Sequence, residues 1–341
     1  MASQETKILD NVIASRRSLL LGGGAALAAL AIPAAAYAAS TVTTFGDTDI
    51  LNFALNLEYL EANFYYLAAF GTNISTANTL YPSGAGVLGI TGTGTQGTVS
   101  IKASPKVPFT SLAIASYAVE TAIEEGKHVS FLRSALGSAA VAQPQIDLNA
   151  AFNTLANAAG IGPSFDPFAS DANFLIGAYI FEDVGVTAYH GAAPLFTTGS
   201  TGKTYLGAAA GILAVEAYHA GLVRTAILAA DTANGNTVYQ GLTQKISALR
   251  YALSKAAAPS SGTGSAAASA SDDIAINTQN VSVAGTSVTA SGIVNADPTN
   301  VIAFSRTTTQ VLNIVTGGGA TTSGTKATGV FFPAGLNGLI S

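Results

Sequence analysis

The feature that most constrains the fold is a repeated glutamate and histidine spacing inside apolar, alanine-rich segments. The chain has three histidines, and two of them follow a glutamate by three residues, in IEEGKHVSFLR and VEAYHAGLVR. Residues three apart lie on the same face of a helix, so each segment places a carboxylate beside an imidazole. Because unpaired polar groups are costly to bury, these pairs require partners inside the fold.

Four long segments show the periodicity of amphipathic helices, with apolar residues at a spacing of three and four. They are predicted at about residues 49–70, 109–136, 171–196 and 204–233. Seven of the eight glutamates of the chain lie within these segments, whereas a solvating role would scatter them along the chain. The polar residues at mid-length on the apolar stripes are Glu58, Glu125, His128, Glu182, Glu216 and His219.

Four carboxylates and two imidazoles that converge in an apolar interior predict a pair of bound cations. Burial of one unpaired carboxylate is costly, and neighbouring like charges add to that cost. Two divalent cations cancel four carboxylate charges, and two lone glutamates with two Glu-x-x-His pairs form the ligand set of dinuclear carboxylate bundles. A single Glu-x-x-His is often a surface pair, so the prediction depends on the occurrence of two such pairs in the chain. We expect Glu125 and Glu216 to bridge or nearly bridge the ions, Glu58 with His128 to complete one site, and Glu182 with His219 to complete the other.

Other polar residues of these segments are candidates for supporting roles. Tyr65 and Tyr189 follow Glu58 and Glu182 by seven residues. We expect both tyrosines to hydrogen-bond a ligand or relay an electron, and Tyr65 is the candidate catalytic residue.

The remaining polar residues of the four segments have weaker assignments. Glu61 is expected to support the ligands or to act as an alternative ligand. Asp183 is expected to hydrogen-bond a ligand histidine. Glu120 and Glu124 are expected in solvent or paired with Lys127. His190 is expected to be structural, and Arg133 and Arg224 to pair with acids near the ligands or to cap surface ends.

Residues 1–38 have the order of a bacterial export signal. Arg16 and Arg17 precede an apolar run from Leu19, and small residues precede a cleavage position after Ala38. This order predicts twin-arginine export to the periplasm or the cell exterior. A membrane anchor is the alternative, which Gly22 to Gly24 and Pro33 disfavour. No later run of 18 apolar residues occurs, so we expect no stable membrane insertion after the signal is removed.

The rest of the chain is predicted to have an all-α core with a small, mainly β, C-terminal region. Residues 39–258 are expected to form a four-helix bundle with a fifth, outer helix from residue 238, and a short helix is expected near 148–158. A long loop, 72–108, connects the first two helices and is expected to form a hairpin or an ordered excursion. Residues 259–271 are expected to be a flexible linker, and 272–341 a β-rich lobe.

Composition excludes some classes of partner and modification. The chain has 14 basic and 19 acidic residues and no basic run, which argues against nucleic-acid binding. It has no cysteine and therefore no disulfide. Met1 is its only methionine, so the mature chain would contain no sulfur. Resistance to oxidants and simple drift both remain open as explanations.

Four segments of the sequence resemble the ligand helices of the ferritin-like superfamily. They are NLEYLEANFYYLAAFG, EEGKHVSFLRSALG, FEDVGVTAYHGAAPLF and VEAYHAGLVR. Together with the tail phrases AFSRTTTQVLNIV and GVFFPAGLNG, they resemble the exported branch described as desiccation-related. The resemblance implies a ferritin-like four-helix bundle and the six metal ligands named above, and it matches Tyr65 to a tyrosine often found beside the site.

The resemblance also implies a set of activities, which it does not separate. Members of the superfamily act as ferroxidases, dismutate peroxide or oxidise hydrocarbons. Mixed carboxylate and imidazole ligands suit Fe or Mn, so we expect two such ions and an oxidoreductase acting on O₂ or peroxide, ferroxidase-like or manganese-catalase-like. Iron storage fits less well, because the long loop and the tail would obstruct a compact cage. A protective scaffold with a merely stabilising metal site remains the alternative. A homo-oligomer formed through the bundle or the C-terminal lobe is also expected.

Overall fold

The computed structural model describes residues 45–76, 88–257, 272–319 and 326–341. Seven α-helices are found in this part of the chain. In chain order they are α1 (Asp47–Phe70), α2 (Leu112–Leu136), α3 (Ala150–Ala158), α4 (Asp171–Ala192), α5 (Ser200–Asn234), α6 (Val238–Ala257) and α7 (Thr308–Val315). The predicted signal, 1–38, and the predicted linker, 259–271, lie outside the described residues, so both stay predictions.

The helix ends follow from local backbone chemistry. α1 ends at Gly71, whose left-handed φ of 77° lets its N–H bond the Leu67 carbonyl. α2 begins later than the predicted residue 109, because the Ser111 hydroxyl caps it by accepting a hydrogen bond from the Ile114 N–H at 3.3 Å. α4 ends at Ala192, before the predicted residue 196, because a 3₁₀ turn that contains Pro194 follows it.

The four long helices form the predicted bundle. α1 packs most extensively on α2, and α4 on α5, while α1 and α4 meet across the centre. α1 is buried along nearly its whole length. Phe64 lies at the middle of an aromatic core, with its ring centroid 5.9 Å from that of Phe174 and 5.2 Å from that of Phe181. α6 packs outside the bundle on α4 and α5, as the fifth helix was predicted to do.

The described part of the long loop is an ordered excursion rather than a hairpin of its own. Its strand β1 (Val99–Ser100) pairs in parallel with β2 (Ile146–Asp147), which follows α2. A further parallel bridge joins Thr93 to Val141. The loop returns to the bundle where the Val107 N–H donates to the Ala68 carbonyl at 2.9 Å. Residues 77–87 of this loop lie outside the described residues.

The C-terminal part contains the predicted small β region. β3 (Asn277–Val283) and β4 (Thr286–Gly292) form an antiparallel hairpin. Its turn uses positive φ angles at Ala284 and Gly285. α7 then packs on α6 and α4. The final segment inserts Phe331, Phe332 and Leu336 into the same core as the bundle. The all-α core with a small β region is therefore confirmed.

One described helix, α5, is long and apolar enough by length and composition to cross a membrane. It also contributes Glu216, His219 and Arg224, whose side chains are buried inside the fold.

Candidate metal centre

The six predicted ligands meet in the middle of the bundle. α1 supplies Glu58, α2 supplies the Glu125 and His128 pair, and the second pair comes from α5. α4 supplies the fourth carboxylate, Glu182. All six side chains are buried, and the most exposed of them, His128, has only 8% of its surface accessible. The 3–4 spacing therefore places every one of these groups on an inward face.

The ligand atoms form two overlapping groups, each with all atoms within 4.8 Å of one another. The first group is Glu58, Glu125, His128 and Glu216, and the second is Glu125, Glu182, Glu216 and His219. Glu125 and Glu216 belong to both, which is the arrangement that bridging carboxylates require. Each remaining glutamate shares a group with the histidine that the sequence assigned to it.

The imidazoles face the carboxylates through their Nδ1 atoms. His128 Nδ1 lies 3.3 Å from Glu58 Oε2 and 3.6 Å from Glu125 Oε2. His219 Nδ1 lies 3.0 Å from Glu125 Oε1 and 3.5 Å from Glu182 Oε2. Each of the six residues has at least one buried oxygen or nitrogen without a hydrogen-bond partner in the described part of the chain. Buried polar atoms are normally paired, so this donor set fits bound cations.

Two tyrosines donate hydrogen bonds across the bundle to Glu58 and Glu182, the two glutamates that each belong to only one ligand group. The Tyr65 hydroxyl donates to Glu182 Oε1, and the Tyr189 hydroxyl donates to Glu58 Oε1. The tyrosine of α1 thus bonds the glutamate of α4, and the tyrosine of α4 bonds the glutamate of α1. Burial, and then the neighbouring Glu182 or Glu58, raise the pKa of both hydroxyls well above the ordinary value. They stay neutral and donate.

Without metal, the protonated histidines compensate part of the carboxylate charge. Burial opposes protonation, but Glu58 and Glu125 raise the pKa of His128 to about 11. Glu182 and Glu125 likewise raise the pKa of His219 to about 12. Burial raises the pKa of Glu58 to about 7 and that of Glu216 well above its ordinary value. Burial also acts on Glu125, yet its contacts with both histidines lower its pKa.

Glu61 lies beside the cluster and belongs to neither ligand group. It is 5% exposed, and burial and the nearby carboxylates raise its pKa well above the ordinary value. Gly185 on α4 has no side chain, which leaves room for the carboxyl groups of Glu61 and Glu216. A Cβ at Gly185 would clash with Glu216 Oε2 and lie 3.5 Å from Glu61 Oε1.

A further carboxylate contacts the candidate ligand His219: it is Glu124, which the sequence interpretation assigned to solvent or to Lys127. Glu124 Oε2 lies 2.8 Å from His219 Nε2, the ring nitrogen opposite the ligand atom. Its side chain is 31% exposed. The error arose because Glu124 lies off the apolar stripe of α2, and only its distance to α5 reveals the contact. Glu120, one turn earlier, accepts a hydrogen bond from the exposed Tyr218 hydroxyl at 2.9 Å.

Asp183 does not bind a ligand histidine in the described structure, which corrects the prediction. Its Oδ2 accepts from Arg224 at 2.8 Å and from Arg250 at 2.7 Å. Arg250 also contacts Asp273 at 2.8 Å, and Asp273 contacts Arg306 at 2.9 Å. This buried network ties α4, α5 and α6 to the C-terminal part. Sequence reasoning missed Arg250, Asp273 and Arg306, because nothing in their spacing links them to the bundle.

The two remaining side chains have structural partners. Arg133 donates to the Tyr59 hydroxyl and to the Thr91 carbonyl. His190 Nδ1 lies 3.1 Å from the Phe304 carbonyl oxygen, away from the ligand groups, as a structural histidine should.

Comparison with known proteins agrees with this geometry. The family described as ferritin-like domain matches residues 46–229, which include all six candidate ligands. The desiccation-related protein PCC13-62 of Craterostigma plantagineum is 32% identical over 215 residues, which cover 61% of this chain and 62% of that protein. The similarity thus spans less than two thirds of the relative's length. No solved structure gives a significant match.

Proposed function

Because the chain belongs to the ferritin-like domain family, we propose that its buried cluster binds two divalent ions, Fe or Mn, and acts on O₂ or hydrogen peroxide. The observation that carries this proposal is the pair of ligand groups that share Glu125 and Glu216. Carboxylate and imidazole donors without thiolate suit Fe and Mn. Four carboxylates match the charge of two divalent ions.

The residues of the chain would divide the work as follows. The six ligands hold the ions, and a bound Fe or Mn pair supplies reversible one-electron redox chemistry. Tyr65 and Tyr189 keep Glu182 and Glu58 in fixed orientations by donating to their outer oxygens. Glu124 fixes the ring of His219 from the solvent side. Burial of the whole set excludes bulk water, which strengthens the electrostatic interactions inside the site.

The decisive test is reconstitution of metal-free protein with Fe(II) or Mn(II). Metal analysis should give two ions per chain, and O₂ uptake or peroxide consumption should follow loading. Glu125→Ala and Glu216→Ala should each abolish dinuclear binding, because the other carboxylates then repel one another. Glu120→Ala is the matched control, since Glu120 is exposed and its side chain hydrogen-bonds only Tyr218 among the described residues. Failure of the wild-type protein to bind two ions would refute the proposal.

A scaffold in which the ions only stabilise the fold is the second candidate. It is favoured by the buried network that joins the bundle to the C-terminal part, since Arg250 links Asp183 to Asp273. Ions that join four helices would act in the same way. Binding of two ions with a rise in Tm, but without turnover of either oxidant, would select this function.

Export is a further element of the proposal. Arg16 and Arg17 precede an apolar run, which is the order typical of a twin-arginine signal. Export of the already folded protein would allow the metal ions to be inserted in the cytoplasm. We place the mature protein in the periplasm or outside the cell, where it would act under oxidative or desiccation stress. Replacement of both arginines with lysine should retain the precursor in the cytoplasm. Unchanged export would contradict this route.

A further inference from the structure

A second feature of the bundle is a cavity of about 40 Å³ that reaches Glu61. Its walls come mainly from apolar side chains of α1, α3, α4 and α6, such as Leu57, Leu60, Ala156 and Phe181. The partly exposed residues Ala159 and Phe165 also line it, so its lining includes residues near the surface as well as Glu61 beside the ligand cluster.

Two polar side chains line this otherwise apolar cavity. One is Glu61, whose Oε1 lies, like Glu216 Oε2, beside the space that the missing side chain of Gly185 leaves. The other is Arg250, whose terminal nitrogens bond the Tyr179 carbonyl at 2.6 Å and the Asp183 carboxylate at 2.7 Å. Its Nε–H is buried and has no partner in the described part of the chain. An unpaired buried donor is costly, which points to an acceptor that binds in the cavity.

We propose that this cavity is the pocket through which hydrogen peroxide reaches the ligand cluster, bound by Arg250 Nε–H and the Glu61 carboxyl group. This inference rests on the proposed function and names its substrate. A water-sized molecule needs about 10–15 Å³, so the cavity accommodates about three of them. Hydrogen peroxide both donates and accepts hydrogen bonds and can use the two polar groups. Dioxygen makes no comparable bonds, and a cation is repelled by the guanidinium group.

The corresponding reaction balances without a further reactant. Two molecules of hydrogen peroxide give one O₂ and two H₂O, with one peroxide oxidised by two electrons and the other reduced by two. An exported protein would therefore need no separate reductant.

The test uses a substitution that narrows the cavity and a matched control on the same helix. Ala156→Val adds two methyl groups to a buried residue of α3 that lines the cavity. Ala158→Val makes the same change at an exposed residue of α3 outside the lining. Glu61→Leu, a third variant, keeps a side chain of similar size and removes both hydrogen-bonding oxygens. Circular dichroism and metal analysis establish that each variant is folded and loaded with two ions.

We expect Glu61→Leu to lower kcat/KM for hydrogen peroxide about tenfold, mainly through KM, which corresponds to the loss of about one hydrogen bond. Ala156→Val should lower kcat/KM by about the same factor, because the added methyl groups occupy part of the cavity. Ala158→Val should match the wild type. Equal kcat/KM for Ala156→Val and Ala158→Val would overturn the proposal. So would slower O₂ uptake by the Fe(II) form with an unchanged KM for peroxide, because the cavity would then carry O₂.

A structural readout separates this proposal from the function of the metal centre. Crystals of the metal-free protein soaked in hydrogen peroxide should show density for two bonded oxygen atoms within hydrogen-bond distance of Arg250 Nε, which unsoaked crystals and soaked Ala156→Val crystals should lack. If the wild type binds two ions but never consumes peroxide, the proposed activity fails while the soak still tests the pocket. Density that is the same in both proteins, or absent from the wild type, would overturn the pocket itself.

Discussion

His219 Nε2 lies 2.8 Å from Glu124 Oε2, and no carboxylate of the described chain occupies the equivalent position beside His128. The two Glu-x-x-His segments are therefore unequal in their surroundings. The residue before Glu125 is Glu124, whereas the residue before Glu216 is Val215. The two sets of candidate ligands are thus related by an approximate two-fold symmetry, but only His219 has a carboxylate partner on its opposite ring nitrogen. We therefore predict two metal sites of different affinity.

Glu124→Gln should weaken one metal site and leave the other nearly unchanged. A carboxylate partner orients a ligand imidazole and raises its basicity, and its loss typically costs about 10–100-fold in metal affinity. Titration of metal-free protein with Mn(II), followed by calorimetry, should show one site weakened by that factor. Glu120→Gln is the matched control, because Glu120 lies one turn away and contacts Tyr218 instead of a ligand. Equal weakening of both sites would contradict the asymmetry.

Removal of either buried tyrosine hydroxyl should destabilise the metal-free fold. Tyr65→Phe leaves Glu182 Oε1 without its donor, and Tyr189→Phe does the same to Glu58 Oε1. A buried acceptor left unpaired costs about 1–3 kcal/mol, so urea unfolding should show a loss of that size for each variant. Tyr218→Phe, which removes an exposed hydroxyl, should change the free energy of unfolding little. A similar loss in all three proteins would contradict this assignment.

The stability of the metal-free protein should fall as pH rises. The folded-state pKa of His128, about 11, and that of His219, about 12, lie above the ordinary value of 6.5. Their stabilisation is complete below pH 6.5 and is lost as pH rises through the folded pKa values. The raised pKa of Glu58, about 7, adds a loss that begins at its ordinary value of 4.5. Glu125 acts in the opposite sense, because its lowered pKa gives stability that is lost only in acid.

Unfolding in urea with a chelator, at about pH 5 and about pH 9, measures this dependence. Metal-loaded protein should show the opposite trend, because protons compete with the ions for the same ligand atoms. Stability of the metal-free protein that rises between these pH values would mean that the two histidines are not protonated there.

The sequence predicted the bundle and the ligand cluster because both depend on helical periodicity. Glu58, Glu125, Glu182 and Glu216 lie on apolar stripes, and a stripe faces the core whatever the details of packing. A helix boundary such as Ser111 depends instead on a single hydroxyl. Boundaries were accordingly predicted only to within a few residues.

Contacts between segments distant in sequence have no periodic signal. Asp183 directly follows Glu182 in the sequence, which suggested a contact with a ligand histidine, but the guanidinium groups of Arg224 and Arg250 bind Asp183 instead. Arg250 lies on α6, and the amphipathic pattern of α6 predicted only that this helix packs outside the bundle. Glu124 contacts His219 across the gap between α2 and α5, a distance that no spacing along the chain encodes.

Asp273→Asn should detach the C-terminal part from the bundle. The Asp273 carboxylate lies 2.8 Å from Arg250 and 2.9 Å from Arg306, and all three side chains are buried. Burial opposes its ionisation, but both arginines lower the pKa of Asp273, so it is charged at neutral pH. Removal of one member of a buried ion pair leaves an uncompensated charge and costs about 3–5 kcal/mol.

Urea unfolding should show that loss, and limited proteolysis should cut the variant after residue 273 faster than the wild type. Asp166→Asn is the matched control, because Asp166 pairs with Lys102 at 2.6 Å on the surface, where its side chain is 44% exposed. A surface pair contributes about 0–1 kcal/mol, so this control should unfold nearly like the wild type. Since the same network holds Arg250 against the peroxide pocket, Asp273→Asn should also raise the KM for hydrogen peroxide, whereas Asp166→Asn should leave it unchanged. Equal stability of the two variants would show that the network contributes no more than a surface ion pair.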